Sequence, residues 1–389
     1  MVESLGSKLK EKSVIFCAGA GGVGKTTISA SLALTLAVHE KKSVLVITVD
    51  PAKRLAGALG LSELGNDPIE VDLSGIEGHK GRLYAAMVDM KESWDQIVQS
   101  CADSDAQERI FANPIYQNIS SQFVQSHDYI AVEVLYDLYG RGDFDLIVVD
   151  TPPSRNAIDF LDAPKRMEEF FSSKLLRWLT MPYRSKVFVS AFKPFNAVAE
   201  KILGSAFLAE LGEFFVDFQS MQDGFLERAG TVSTLINSDQ STFIVVSTAS
   251  EAPINEASFF ITELFERNLP LAGVVINRCL PQNLLDREVA SSAQKLDDSQ
   301  NVMVAELTGR YLKENPDIDG DLGRRLSPIF NRVLSEVNSN YLGLAELYSS
   351  EIAYKSKIGV DSAEIIEVAQ ERGDISSLPN LLKMLDNIW

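Results

Sequence analysis

Only three cysteines occur in 389 residues, Cys17, Cys101 and Cys279, and no two stand at CxxC or other zinc-ligand spacing. A disulfide scaffold is thereby excluded, and a reduced, cytosolic setting is expected. Histidine is equally scarce: His39, His79 and His127 are isolated, without the HxxxH or His/carboxylate spacing that would hold a metal. No run of about 18 apolar residues occurs, so no membrane-spanning helix is expected. The polar segment Met1–Lys12 lacks the apolar centre of a signal peptide. Fixed-period repeats and low-complexity tracts are missing, which sets aside solenoids and linker-rich architectures. Positive charge is also short. Thirty-six Lys and Arg against 54 Asp and Glu leave −18 at pH 7, a field that repels phosphate backbones and argues against nucleic acid as a partner.

What is present is globular. With 46% hydrophobic and 23% charged residues, the chain suits two or three domains of about 150 residues, or one elaborated domain. Ser13–Cys17 is a short β-favouring apolar run that leads into Gly19-Ala20-Gly21-Gly22-Val23-Gly24-Lys25-Thr26. This is a complete GxxxxGK[ST] phosphate loop: glycines let backbone N–H groups converge, Lys25 reaches β and γ phosphates, and the Thr26 hydroxyl binds Mg²⁺. Thr27–Ala37 reads as the following helix, whose dipole favours the same anion. Two further apolar runs, Ser43–Val49 and Asp145–Val149, end in Asp50 and Asp150. Ligands in open α/β sheets bind beyond the carboxyl ends of buried parallel strands, where both aspartates fall. An Asp after a strand is by itself more often a turn-former or helix cap. Beside an intact phosphate loop, Asp150 suits metal holding and Asp50 suits positioning of water.

The segments GAGGVGKTT (Gly19 to Thr27), VDPAKRLAGALG (Val49 to Gly60) and VVDTPPSRNAIDFLDAP (Val148 to Pro164) resemble the ArsA/Get3 group of anion-transporting or tail-anchor-targeting ATPases, and within it their bacterial ArsA-like relatives. The resemblance implies that Asp50 is the water-positioning carboxylate, that the DPA and DTPP segments are nucleotide-sensing switches I and II, and that Asn277, in LAGVVINRCLP, contacts adenine. One departure matters. The group's signature lysine near the start of the loop is replaced by Ala20. A positioned cation of this kind is worth about 10³ to 10⁵ in rate, so slow intrinsic hydrolysis is expected unless a paralogous partner or another group compensates. Arg54 and Arg155 are candidates for that charge, and equally suit solvated loop positions.

The remaining strands are expected at Arg82–Val88, Thr242–Ser247, Ala272–Ile276 and Glu364–Val368, with helices around Met90–Ala102 and Tyr129–Tyr139. Two helical stretches interrupt the alternation, 164–235 and 284–357. Thirteen of the 33 aromatic residues fall between Phe160 and Phe225, and residues 164–201 set eight cations against three acids. Such a segment suits an apolar client, a membrane surface or an acidic partner, or else it is a helical core with a solvated rim. Metalloid-binding cysteines are not recognisable, which disfavours arsenite export. The amphipathic Ser377–Trp389 is expected to dock on the body, since it has too few cations for lipid.

The expected fold is α/β, a mostly parallel P-loop NTPase sheet flanked by helices with an inserted helical subdomain. Residues 1–163, 236–283 and 358–389 form the ATPase domain, and 164–235 with 284–357 the helical part. The expected activity is Mg²⁺-dependent ATP hydrolysis that switches a helical client or effector surface. Lys25 and Asp50 are catalytic, the loop from Gly19 to Thr27 and Asn277 bind nucleotide, and Thr26 and Asp150 hold the metal. A scaffold similar to MinD/ParA positioning proteins, with little turnover, is the alternative. Expected partners are a second identical or paralogous ATPase subunit and a protein client or membrane component. The expected location is the cytoplasm, with room for contact at the inner membrane face.

Overall fold

The computed structural model describes residues 4–49, 54–117, 127–174, 176, 177, 180, 204–281, 287–316, 320–359, 364–371, 375 and 377–388. Its strands are β1 (Val14–Gly19), β2 (Ser43–Thr48), β3 (Ile69–Glu70), β4 (Arg82–Met87), β5 (Leu146–Asp150), β6 (Ser241–Thr248), β7 (Leu271–Cys279) and β8 (Glu364–Ala369). They form one eight-stranded sheet in the order β3-β4-β2-β5-β1-β6-β7-β8, parallel throughout except for β3 against β4. Six of the eight were expected within two residues at either end, and β7 runs three residues past its expected end at Ile276 to Cys279. Strand β3, which was not expected, is a two-residue edge pairing too short to leave any periodicity.

The central strands are apolar on both faces because helices cover both faces. Successive residues of a strand alternate sides, and the two cores follow that alternation. Phe16, Ile47, Val149, Phe243 and Ile276 face one layer, while Ile15, Cys17, Val46, Val148 and Val246 face the other. The second layer is built from α1 (Leu5–Lys10), α2 (Lys25–His39) and α3 (Arg54–Leu59), joined from the far end of the chain by the helix Leu378–Leu385. That helix docks as expected: Leu381 and Leu385 are buried against α2, and the Ser31 hydroxyl donates to the Leu381 carbonyl at 2.6 Å.

The first layer holds α4 (Met90–Cys101), α5 (Ser104–Ala112), α6 (His127–Arg141), α7 (Ser154–Phe171), α8 (Ser205–Ser220), α9 (Gln222–Ile236) and α10 (Glu251–Glu266). Asp89 and Asp103 start α4 and α5 by accepting from the N3 amides of Glu92 and Ala106, each at 2.8 Å, a cap worth about 1 kcal/mol. Helix α9 lies along α6 and α7, and α8 lies on α5. The described aromatics of this stretch are mostly interior. Phe171, Phe214, Phe218 and Phe225 are buried and join Trp94 and Tyr129 in a continuous ring cluster, with centroids 5.2–6.4 Å apart. The cations Lys165, Arg166, Lys174 and Arg177 are exposed. Arg184, Lys186, Lys193 and Lys201, the other half of the basic segment, lie outside the described residues.

The second interruption is a pair of long helices, α11 (Arg287–Glu314) and α12 (Gly320–Lys355), packed chiefly on each other. Between them stands the expected Asn315–Gly320 break, of which 317–319 lie outside the described residues. The last helix, Leu378–Leu385, completes the series as α13. No helix among the described residues is long and apolar enough to cross a membrane.

Candidate functional site

At the carboxyl edge of the sheet, β1 delivers the phosphate loop between β5 and β6. Gly19 lies so close to β6 that a Cβ there would meet the Val246 carbonyl oxygen at 2.0 Å, so only glycine lets the two strands meet where the loop begins. Gly22 and Gly24 turn the chain at φ +80° and +94°, a region that glycine enters without the Cβ penalty. Gly24 is also the N-cap of α2 and brings no capping side chain. The first-turn N–H groups and the positive end of α2 thus point at the loop, a ready anion site.

Side chains complete the arrangement. Lys25 is buried, and its ammonium donates to the Ala20 carbonyl at 2.9 Å, which holds the charge across the loop's mouth. Asp150, 1% exposed at the end of β5, accepts from Thr26 Oγ1 at 2.7 Å and Thr48 Oγ1 at 2.8 Å through one carboxylate oxygen. Its other oxygen faces Ser29 Oγ at 3.5 Å. A hydroxyl that gives its hydrogen to Asp150 keeps two lone pairs. Thr26 can therefore hold Asp150 and still present oxygen to a cation. Hydroxyl and carboxylate oxygens are the hard ligands that Mg²⁺ prefers, so the donor set fits that ion.

Beyond Asp150 the chain is latched to β1: both the amide and the hydroxyl of Thr151 donate to the Cys17 carbonyl, at 3.2 and 2.9 Å. From the other side, β7 brings in Asn277, which is buried and donates from Nδ2 to the Val23 carbonyl at 2.9 Å. Its Oδ1 accepts from the Arg278 amide at 2.9 Å. Arg278 takes φ +60° beside the register shift between Ile276 and Cys279. Burial pushes the Cys17 thiol up to about 12 and the Cys279 thiol to about 11, so both are inert core groups at neutral pH.

The fold thus gathers Gly19 to Thr27, Asp150 and Asn277 at one edge. Asp50 lies outside the described residues, as do Pro51, Ala52 and Lys53. Arg54 is exposed at the start of α3, and Arg155 lies in the first turn of α7. Sequence reasoning missed Thr48, Ser29 and Thr151. The signal for Thr48 was available: it is a hydroxyl at the carboxyl end of the otherwise apolar run SVLVITV.

Comparison with known proteins shows the family. The profile of the Anion-transporting ATPase family matches residues 12–314. Among individual relatives, the ATPase GET3 of Malassezia globosa is 27% identical over 289 residues, which covers 70% of this chain and 75% of that protein. The ATPase get3 of Aspergillus terreus is 26% identical over 313 residues, 79% of this chain and 86% of its own length.

Proposed function

The chain belongs to the anion-transporting ATPase family, and from that premise we propose that it binds ATP with Mg²⁺, hydrolyses it to ADP and phosphate, and uses the nucleotide state to switch a helical effector surface. The observation that supports this reading is the convergence of Lys25, Thr26, Thr48 and Asp150 around one loop. Lys25 exchanges the Ala20 carbonyl for β and γ phosphate oxygens, and the helix α2 dipole adds to the same field. Thr26 and Asp150 hold Mg²⁺, which when bound neutralises charge on the phosphates. Asp50 orients the attacking water. Val23 takes one amide hydrogen of Asn277, and the second is the donor for an acceptor nitrogen of adenine.

Because Ala20 brings no cation, turnover is slow in the isolated chain, below about 0.01 s⁻¹ by comparison with P-loop enzymes that carry their own arginine. A second ATPase subunit, identical or paralogous, supplies the missing charge across a nucleotide-dependent interface. Residues 1–163, 236–283 and 358–389 act as the nucleotide-binding part, and the segments 164–235 and 284–357 as the effector part. The protein works in the cytoplasm, with its protein client or membrane component met through the effector part.

A phosphate-release assay on wild type and Asp50→Asn tests the reading. The expected result is slow, Mg²⁺-dependent release that falls at least a hundredfold in the variant while ATP binding persists. ATP binding without any Asp50-dependent release, even with a candidate partner subunit, would leave a nucleotide-controlled scaffold instead.

A further inference from the structure

The turn that carries Asn277 is braced from outside the sheet. Strand β7 leaves regular geometry there: its register with β8 shifts between Ile276 and Cys279, and Arg278 takes φ +60°. Left-handed backbone at a residue other than glycine is strained, and such strain persists only where the surrounding structure enforces it. Part of the enforcement comes from within the sheet. Cys279 Sγ donates to the Ile276 carbonyl at 3.2 Å, and the Cys279 carbonyl accepts from the Gln370 amide at 3.0 Å. The next amide looks elsewhere. Leu280 N–H donates to Glu351 Oε2 at 3.1 Å, and Glu351 stands 71 positions further along the chain, one turn before the end of α12. A carboxylate that accepts from a backbone amide makes a charge-assisted bond, stronger than a neutral one.

Glu351 is fixed in its turn. Lys355 stands 4.0 Å from Glu351 Oε2 and 2.9 Å from Glu367 Oε2 on β8, with only 11% of its side chain exposed and 13% of that of Glu351. Its ammonium also lies 5.7 Å from the centroid of the buried Tyr348 ring. Burial opposes the Lys355 charge, but the hydrogen bond to Glu367 and the charges around it outweigh that, so its pKa stands above the usual lysine value. Exposed pairs further up α12, such as Arg332 with Glu336, contribute little. This one is sheltered, spans α12 and β8, and ends on the backbone three residues from Asn277. We propose that Glu351, held by Lys355, is a positioning residue for base selection: by fixing the Leu280 amide it sets where the Asn277 side chain aims. The inference rests on the reading of Asn277 as the adenine contact. A donor held in place favours adenine, whose N1 accepts, over guanine, which carries hydrogen there; once the donor is free to wander, that discrimination is lost while the phosphate contacts remain. Among the described residues, neither Glu351 nor Lys355 bonds to the phosphate loop, and both lie beyond the residues matched by the family profile.

The test is titration calorimetry of the full chain with ATP and with GTP, each with Mg²⁺. Wild type is expected to prefer ATP by about tenfold or more, the worth of one hydrogen bond that guanine cannot accept. Glu351→Ala should weaken ATP binding by about that factor and GTP binding by less than about twofold, so that the preference collapses. Glu351→Gln keeps an oxygen for the Leu280 amide and should keep most of the preference. Lys355→Met removes the hold on Glu351 and should lose part of it, about threefold or more. Glu336→Ala, which breaks an exposed pair on the same helix, should change neither affinity. An undiminished preference in Glu351→Ala or in Lys355→Met overturns the proposal and leaves the nucleotide reading standing. So does a loss of ATP and GTP affinity in equal proportion, or a Glu351→Gln chain that behaves as Glu351→Ala. A wild type that binds both nucleotides alike overturns the reading of Asn277, and one that binds neither overturns the ATPase reading; the proposal falls with each.

Discussion

Gly24 is held by two independent constraints. Its φ of +94° excludes a Cβ on conformational grounds, and a methyl group there would meet Asn277 Nδ2 at 2.3 Å. Left-handed backbone costs about 1–2 kcal/mol at any other residue, which corresponds to a factor of roughly 5–30 in an equilibrium constant. Gly24→Ala should accordingly weaken ATP binding tenfold or more, as read by displacement of a fluorescent ATP analogue. Asn277→Ala should not restore it, because the conformational constraint survives removal of the clash. At this scale the loop was legible because each of its residue types answers a geometric demand of phosphate. The role of Gly19 was not: its reason is the Val246 carbonyl 2.0 Å from where a Cβ would sit, on a strand more than 220 positions away. Thr151 escaped notice likewise, since its partner is a backbone oxygen rather than another conspicuous side chain.

Among the elements, α9 is fixed to α6 by an ion pair between half-buried Arg228 and buried Glu133 as well as by aromatic packing. Arg228 donates to Glu133 Oε2 at 3.2 Å, while Tyr129 donates to the other carboxylate oxygen. Burial raises the Glu133 carboxyl above the usual range, opposed by the charge and hydrogen bonds of its partners. Removing one member of such a pair costs about 3–5 kcal/mol because a charge is left stranded, whereas replacing both with apolar residues is often neutral. Arg228→Met should therefore lower urea-unfolding stability by about that amount, and Arg228→Met with Glu133→Leu should recover most of it. A single variant as stable as wild type would contradict the account. Strands were the most legible elements, since burial on both faces writes them as unbroken apolar runs such as SVLVITV and DLIVV. The aromatic helices were ambiguous because periodicity reveals an apolar face without naming what covers it. The cover proves to be α4 and α6, through Trp94 and Tyr129.

Taken whole, the molecule keeps two of its three thiols in the interior. Cys17 and Cys279 are neutral in the folded state up to about pH 12 and 11, while in an unfolded chain they ionise near 8.5. A folded pKa above the unfolded one contributes stability below the unfolded value, and that contribution is lost as pH climbs toward the folded one. The urea midpoint should thus fall between pH 8 and pH 11. A thiol-reactive disulfide reagent at pH 8 should modify at most one cysteine, the half-buried Cys101, until denaturant exposes all three. Composition spoke to this scale through scarcity, the three cysteines and the missing long apolar run. Pairing order could not be read there, because strands adjacent in the sheet lie up to 227 positions apart, as Val14 and Ser241 do. The Asn277–Val23 bond spans 254 positions, and its length has a consequence in time. At a synthesis rate of about 5–20 residues per second, the phosphate loop leaves the ribosome roughly 13 to 50 seconds before the strand that braces it. For that interval the nascent loop must persist without its brace.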